Sequence, residues 1–190
     1  MPQAKVLSDQ ELKRVLAVVA TMKHARRNRL LVMLSFQAGM RAGEISKLTL
    51  DHVLNADCTV RDRIHLSNGQ TKGNRQRTVI LSQKLQKEIL NFVGPLTSFR
   101  RGGSQPLIAS QKGGHFSPTT LVMLFRHIYN LAGLHDARSH SGRRSFITKL
   151  ANKGVSVRVV QTLAGHSSMQ TTQRYIDVNE GMLVEAVELV

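Results

Sequence analysis

The stretch LAGHSSMQTTQRYI, residues 163–176, holds one of the two tyrosines in the chain. Tyr175 lies here on a polar segment beside Arg174, nine residues after His166. The other tyrosine, Tyr129, lies in an apolar pattern with helical spacing, which is typical of a core residue. Tyr175 therefore has two open interpretations, as a packing residue or as a side chain whose hydroxyl takes part in chemistry.

The charge of the chain is strongly unbalanced. Its 190 residues include 27 lysines and arginines against 12 aspartates and glutamates, a formal net charge of +15. Between Asp62 and Asp177 the only acids are Glu88 and Asp136, and the basic residues there are scattered among apolar residues of periodic spacing. This pattern indicates a basic folded surface that binds a polyanion, because each neutralised phosphate releases counterions. The alternative is a solvated face that serves only solubility.

Length and cysteine content set further bounds. A chain of 190 residues with 41% hydrophobic residues can bury one real core, so we expect one domain. Cys58 is the single cysteine, so a disulfide framework is excluded and a reducing compartment fits. No apolar run approaches the ~20 residues of a membrane span, and the stretch MPQAKVLSDQ lacks the apolar region of a signal peptide. We therefore expect no membrane partner and a cytoplasmic location.

Most of the chain carries helical signals. Ser8 and Glu11 have capping-box spacing before an apolar pattern of helical period. Gly39 ends a second helical stretch, and Ser117 followed by Pro118 marks the start of a later one. Short β-type runs lie only near the middle of the chain, around residues 60, 64–66 and 78–81, with turn signals at Asn68-Gly69 and Gly73-Asn74. The sequence predicts an α+β class, mostly helical, with a small antiparallel sheet of two or three strands.

The chain also contains the side chains needed to break a phosphodiester bond without a metal. Such chemistry needs fixed cations for the non-bridging oxygens, a nucleophile, and a proton donor for the leaving oxygen. Arginine is well suited to the first task because its planar fork matches phosphate. As isolated motifs each of these candidates is weak, because a lone histidine or turn arginine is usually structural. The candidates are Arg41, Lys72, His140, Arg143, His166 and Tyr175.

Taken together and in this order, the six residues resemble the signature of the tyrosine recombinases, the phage-integrase family. The local contexts AGMRAGEISKL around Arg41, TKGNRQRTVIL around Lys72 and LAGHSSMQTTQRYI are also similar to those of the family. The resemblance extends roughly from Leu7 to Val178. It implies the tyrosine-recombinase catalytic fold, that is, a DNA breaking-rejoining fold, and a site-specific recombinase or integrase that acts on double-stranded DNA.

The resemblance also implies a role for each group. Tyr175 attacks the scissile phosphate and forms a 3′-phosphotyrosyl link, while Arg41 and Arg143 clamp the non-bridging oxygens and Lys72 protonates the leaving 5′ oxygen. The phosphotyrosine stores the bond energy, so neither metal, ATP nor another cofactor is expected.

Two histidines and several arginines complete the expected site. His140 helps to take the tyrosine proton, and His166 donates a hydrogen bond to the phosphate. Further DNA contacts are expected from Arg75, Arg77, Arg138, Arg144 and Arg174.

The chain departs from the family pattern in its second arginine box. Gly142 stands where a leucine is usual, and Arg144 stands where a histidine is common, so either arginine could point at phosphate. The spacing from His140 favours Arg143. Gly142 predicts a close approach, either to DNA or to a neighbouring segment.

Domain organisation is the other departure. Residues 1–178 are expected to form the catalytic domain, and no N-terminal core-binding domain is expected because only 40 residues precede Arg41. The chain would then be a single-domain recombinase or a fragment. Residues 179–190 form a helical tail with an apolar stripe that packs either on its own core or on a neighbouring protomer, as in a tetramer on paired sites. Accessory DNA-bending proteins are further possible partners.

Two other functions remain open from the sequence. A type IB topoisomerase-like relaxase would share the chemistry, and a non-catalytic remnant of the fold would only bind DNA. The complete set of six groups favours a recombinase of bacterial, phage or mobile-element origin.

Overall fold

The computed structural model of the chain describes residues 3–71, 75–97, 104–175 and 180–188. Helices account for most of these residues, and one two-stranded sheet lies near the middle of the chain. The elements are α1 Asp9–Ala20, α2 Ala25–Ala38, α3 Ala42–Ile45, α4 Leu50–Val53, β1 Arg63–Leu66, β2 Arg77–Ile80, α5 Gln83–Thr97, α6 Pro118–Leu131, α7 Ser141–Ala151, α8 Val157–Ala164, α9 Met169–Gln173 and α10 Glu180–Val187. The predicted α+β, mostly helical class is therefore confirmed.

Local sequence signals explain where several helices begin. At α1 the Ser8 hydroxyl accepts from the Glu11 amide at 3.1 Å, and the Glu11 carboxylate accepts from the Ser8 amide at 2.9 Å, which completes the predicted capping box. At α6 the Ser117 hydroxyl accepts from the Thr120 amide, with Pro118 at the first helical position. These caps satisfy amides that would otherwise lack partners.

Helix α2 forms the centre of the core. Its residues from Leu30 to Phe36 are all buried, and it packs against α1, α5 and α7. A helix that is apolar around most of its circumference must be covered on all sides. It ends at Gly39, whose φ of +59° is left-handed, and a Cβ there would collide with the ring of Phe146 on α7. Gly39 thus turns the chain toward Arg41 while letting α7 approach.

Within the described ranges, the sheet is one antiparallel pair of strands. Ile64 pairs with Val79, and both point into the core while alternate residues face outward. The predicted run around Val60 does not add a third strand among the described residues, since Val60 forms only an isolated bridge to Leu54. Asn68-Gly69 lies in a short 3-10 turn within the connection between the strands, and Gly73-Asn74 lies outside the described residues.

Gly142 brings the start of α7 against α2. A Cβ at Gly142 would overlap the side chain of Ser35 and would lie 2.9 Å from a ring carbon of Phe36. The sequence left open whether this glycine approaches DNA or a neighbouring segment, and the structure shows a neighbouring segment. Because α2 leads into the Arg41 turn and α7 carries Arg143, this contact sets the distance between the two arginines.

At the C-terminal end of the described chain, three apolar side chains of α10 are exposed. Leu183 and Val184 are each 57% exposed and Val187 is 72% exposed. Among the described residues no helix combines the length and the hydropathy needed to cross a bilayer.

Candidate active site

Five of the six predicted catalytic groups line one cleft of about 340 Å³. They come from separate parts of the chain: the turn after α2, the start of α7, the end of α8 and the end of α9. Lys72, the sixth, lies outside the described residues. The five groups in the cleft are Arg41, His140, Arg143, His166 and Tyr175, and the other lining residues are Gln3, Ala4, Arg144, Thr171 and Arg174.

Arg41 is held by the carboxylate of Glu44, which was not among the predicted site residues. Its backbone amide donates to Oε2 of Glu44 at 2.9 Å, and its Nη1 donates to Oε1 of Glu44 at 2.8 Å. The side chain of Arg41 is 22% exposed, whereas that of Glu44 is 1% exposed. The Arg-x-x-Glu spacing in GMRAGEISKL was the available signal, because a glutamate three residues after a helix-capping position reaches back to that amide.

Glu44 is an ionised carboxylate in the protein interior. Burial raises its pKa, but Arg77, the Arg41 amide and the Arg41 guanidinium outweigh burial, and the pKa of Glu44 lies below its ordinary value of 4.5. Arg77 donates from Nη1 to both oxygens of Glu44, at 2.9 and 3.1 Å. A buried charge is tolerated only with such partners.

Arg143 joins the C-terminal ends of two helices. It is 4% exposed, and its Nη1 donates to the carbonyl of Gly39 at 2.6 Å while its Nη2 donates to the carbonyl of Ala164 at 2.5 Å. Carbonyls at helix C-termini lack partners within the helix and attract cations. Each Nη atom carries two hydrogens, so each keeps an N–H for a ligand in the cleft.

The base of the cleft carries an excess of positive charge. In the part of the chain that the structure describes, Arg41, Arg77 and Arg143 lie around one carboxylate, that of Glu44. Burial, together with the charges of Arg41 and Arg77, lowers the pKa of Arg143 to about 9. Crowded cations of this kind favour the arrival of an anion such as a phosphodiester.

His166 follows the left-handed Gly165, which ends α8 with a φ of +63°. Its Nδ1 lies 2.9 Å from the hydroxyl of Thr172, and its carbonyl accepts from the side-chain amide of Gln161 at 3.1 Å. Burial and the neighbouring arginines, Arg143 first among them, lower the pKa of His166 to about 4. The imidazole is therefore neutral at pH 7, and when the Thr172 hydroxyl donates to Nδ1, Nε2 carries the proton and can donate to a ligand.

The ring of Tyr175 contacts an imidazole and a guanidinium. Its ring stacks on His166 with 5.7 Å between centroids, and the guanidinium carbon of Arg144 lies 5.8 Å from its centroid. It also packs on the apolar cluster that Ile147 and Val160 form between α7 and α8. Tyr175 is thus a partly buried ring at the edge of the cleft, where it packs on apolar side chains and also lines the cleft.

Tyr129 has the environment of a packing residue, as predicted. It is fully buried and lies 5.9 Å from the ring of Phe125, and burial raises the pKa of its hydroxyl. The contrast with Tyr175 follows from position in the fold, because α6 lies away from the cleft.

The expected DNA-contacting arginines occupy different environments. Arg75 and Arg138 are exposed, Arg174 is exposed at the cleft, and Arg144 lines the cleft while donating to the carbonyl of Ala4 at 3.0 Å. Arg77 is placed otherwise than expected, because its side chain is 5% exposed and ion-paired with Glu44. This corrects the prediction for Arg77, which lies beneath the cleft rather than on the surface.

Other features of the cleft were not anticipated. Gln3 and Ala4 line it, because the Leu7 amide donates to Ser145 on α7 at 2.8 Å and holds the N-terminal segment there. His140 is exposed at the N-terminal end of α7 and faces the same space. Within the described ranges, no three His, Cys, Asp or Glu residues come together in a way that could hold a metal ion.

Comparison with known proteins identifies relatives of the whole chain. The family model described as the phage integrase family matches residues 5–182. Tyrosine recombinase XerA of Pyrococcus furiosus is 30% identical over 190 residues, which cover 97% of this chain and 61% of the relative. Tyrosine recombinase XerC of Rhodospirillum centenum is 31% identical over 163 residues, which cover 85% of this chain and 46% of the relative. The chain thus spans about half to three fifths of the length of these curated relatives.

Solved structures of recombinases share the fold. A crystal structure of XerA recombinase superposes with a TM-score of 0.78 at 24% identity, over 100% of this chain and 66% of that one. XerH site-specific recombinase bound to its difH substrate superposes with a TM-score of 0.72 at 25% identity, over 96% of this chain and 53% of that one. The predicted tyrosine-recombinase catalytic fold is confirmed, and the chain belongs to the phage integrase family.

Proposed function

We propose that this chain is a site-specific DNA recombinase or integrase that cuts and rejoins DNA through a covalent bond to Tyr175. The observation that carries the proposal is the convergence of Tyr175, His166, His140, Arg41 and Arg143 on one cleft with a cationic base. Relatives over most of the chain are named tyrosine recombinases, which supports the same activity.

The arginines and His166 form the phosphate-binding part of the cleft. Arg41 and Arg143 donate to the non-bridging oxygens, where negative charge increases as the fifth oxygen approaches phosphorus. His166, neutral at pH 7, donates a third hydrogen bond from Nε2. Because Glu44 and the helix-end carbonyls already hold the guanidinium groups in place, little reorganisation is needed when the phosphate binds.

The covalent step follows from this placement. The Tyr175 oxygen attacks phosphorus, its proton passes to His140, and the bond from phosphorus to the 5′ oxygen breaks. A 3′-phosphotyrosyl link and a free 5′-hydroxyl result, and Lys72 supplies the proton to the departing oxygen by its resemblance to the family lysine. Attack by the 5′-hydroxyl of another strand reverses the step and rejoins the DNA, so the mechanism uses neither metal nor ATP.

The basic surface around the cleft holds the duplex. Arg75, Arg138 and Arg174 are exposed, and Arg144 lies at the cleft, so these four remain the proposed backbone contacts. Affinity that rests on such contacts depends strongly on salt.

Assembly and location are part of the same proposal. The exposed Leu183, Val184 and Val187 of α10 fit contact with a neighbouring protomer in a tetramer on paired DNA sites. Accessory DNA-bending proteins are expected partners in that assembly. The relatives named above are bacterial and archaeal proteins, which supports a cytoplasmic location. Their names also favour a recombinase over a type IB relaxase or a non-catalytic remnant.

Trapping of a covalent complex tests the proposal. The full chain is incubated with nicked duplex oligonucleotides of randomised sequence, and protein that stays bound to DNA in denaturing gels is recovered and its DNA sequenced. The wild type should form an adduct, Tyr175→Phe should form none, and Tyr129→Phe should form as much as the wild type. An adduct of Tyr175→Phe equal to that of the wild type would show that the nucleophile is a different residue.

A further inference from the structure

We propose that Arg77 is a positioning residue, which keeps Arg41 available for phosphate and holds the turn before His166. The inference rests on the proposed function of the cleft, and it assigns to Arg77 a task different from the DNA contact that the sequence suggested. Arg77 does not line the cleft where the five catalytic groups converge. It acts through the groups that do.

The hydrogen bonds of Arg77 reach three segments at once. From the start of β2, its Nη1 donates to both carboxylate oxygens of Glu44, and its Nη2 donates to the carbonyls of Ala38 at 3.4 Å and Leu163 at 3.1 Å. With 5% of its side chain exposed, it makes these contacts inside the protein.

Arg77 and Arg143 hold the same two helix ends side by side. Arg77 contacts Ala38 and Leu163, while Arg143 contacts the next carbonyl along each helix. The end of α2 leads directly to Arg41, and the end of α8 leads directly to His166. The two arginines therefore determine how far apart these phosphate-binding groups lie.

The charge of Arg77 also affects Arg41. Glu44 is buried and ionised, and Arg77 supplies two of its guanidinium hydrogen bonds while Arg41 supplies one. Without Arg77, the carboxylate would depend on Arg41 alone, and a buried carboxylate attracts its remaining cation strongly. Arg41 would then be drawn toward Glu44 and away from the phosphate.

The stem of Arg77 supports the turn that precedes His166. A Cβ at Gly165 would lie 2.5 Å from Cδ and 2.9 Å from Nε of Arg77. The backbone of Gly165 therefore rests directly on the Arg77 side chain, and a shorter side chain would leave that turn unsupported.

The experiment separates DNA binding from cleavage in the full chain. Arg77→Met is compared with the wild type on a duplex that the wild type has captured, first by equilibrium binding over a range of salt and then by the rate of adduct formation at saturating DNA. We expect the salt dependence of binding to be unchanged and the rate to fall about 100-fold, as for a small misplacement of catalytic groups. Arg63→Met on the neighbouring strand removes an exposed arginine and should match the wild type in both measurements.

The opposite pattern would overturn the inference. If Arg77→Met weakens DNA binding, lowers the salt slope of binding by about one and cleaves bound DNA at the wild-type rate, Arg77 is a phosphate contact.

A second variant is used if Arg77→Met does not fold. If Arg77→Met shows no cooperative thermal transition, Arg77→Lys takes its place. It keeps a cation beside Glu44 but lacks the fork that reaches both helix ends. Its cleavage rate should fall about 10-fold at an unchanged salt slope, and a wild-type rate would overturn the inference.

The experiment also distinguishes failure of the proposed function from failure of this inference. A wild type that forms no adduct would overturn the proposed function and this inference with it. An active wild type beside an equally active Arg77→Met would overturn this inference alone.

Discussion

The two tyrosines, Tyr175 and Tyr129, have different environments because they lie at different places in the fold. Tyr129 is enclosed by the core, whereas the ring of Tyr175 contacts an imidazole and a guanidinium at the cleft. The apolar helical pattern around Tyr129 predicted its place in the core, which the structure confirms, while the role of Tyr175 as nucleophile stays a prediction. The ring contacts of Tyr175 could not be predicted, because they join residues from three separate segments.

The low pKa of His166 makes stability depend on pH. The pKa is about 4 in the fold against 6.5 ordinarily, so the unfolded chain binds more protons between these values. Stability should therefore fall as pH decreases from about 6.5 toward 4, and His166→Gln should flatten that part of the profile. Urea unfolding at a series of pH values measures it. His52 and His24, whose pKa values are also lowered, should keep a residual slope, and a His166→Gln profile parallel to the wild type would contradict the assignment.

Removal of the buried charge of Glu44 should be costly. Glu44→Gln leaves Arg41 and Arg77 without their shared anion, and the free energy of unfolding should fall by about 3 kcal/mol. The matched control is Glu88→Gln, whose ion pair with Arg29 is more exposed and should cost less than about 1 kcal/mol. Equal losses for the two variants in chemical denaturation would show that the buried network carries no special stability.

Among the elements, those with local signals were the predictable ones. The caps at Ser8 and Ser117 and the end of α2 at Gly39 follow from residues within one turn of each other, and the structure has all three. The small antiparallel sheet was predicted as two or three strands and has two among the described residues. Its extent near Val60 could not be predicted, because Val60 meets Leu54 at a single bridge rather than along a ladder. The Glu44–Arg77 pair links residues 33 positions apart, and no periodic pattern reports such a contact.

The packing of α7 on α2 offers a test at the level of elements. Gly142→Ala places a methyl group into Ser35 and Phe36, so the helices must separate, and the free energy of unfolding should fall by about 1–3 kcal/mol. Gly43→Ala in α3 meets only Cβ of Pro118, at 4.0 Å, and should instead stabilise the protein by up to about 1 kcal/mol. Chemical denaturation of both variants measures these changes. An unchanged free energy of unfolding for Gly142→Ala would contradict the close approach of α7 to α2.

Across the whole molecule, the positive charge predicts a steep salt dependence of DNA binding. The logarithm of the association constant should fall linearly with the logarithm of salt concentration. Arg174→Ala and Arg138→Ala should each reduce the slope by about one, because both side chains are exposed. Titrations on one duplex at several salt concentrations measure this, with Arg63→Ala as control, and unchanged slopes for both variants would remove these arginines from the DNA surface.

The composition of the whole chain predicted a polyanion partner, and the order of six residues predicted the family, but neither could show how the cationic base is built. That arrangement depends on two buried arginines that bridge helix ends, and burial is a property of the fold.

The most direct measurement of the central claim is the identity of the residue that carries DNA. The adduct trapped from the wild type is digested with nuclease and protease, and the peptide that retains a nucleotide is identified by mass spectrometry. We predict that a 3′-linked nucleotide lies on Tyr175 and that the released strand has a free 5′-hydroxyl. A nucleotide on Tyr129 or on a serine, or one linked to the protein through its 5′ phosphate, would contradict the account.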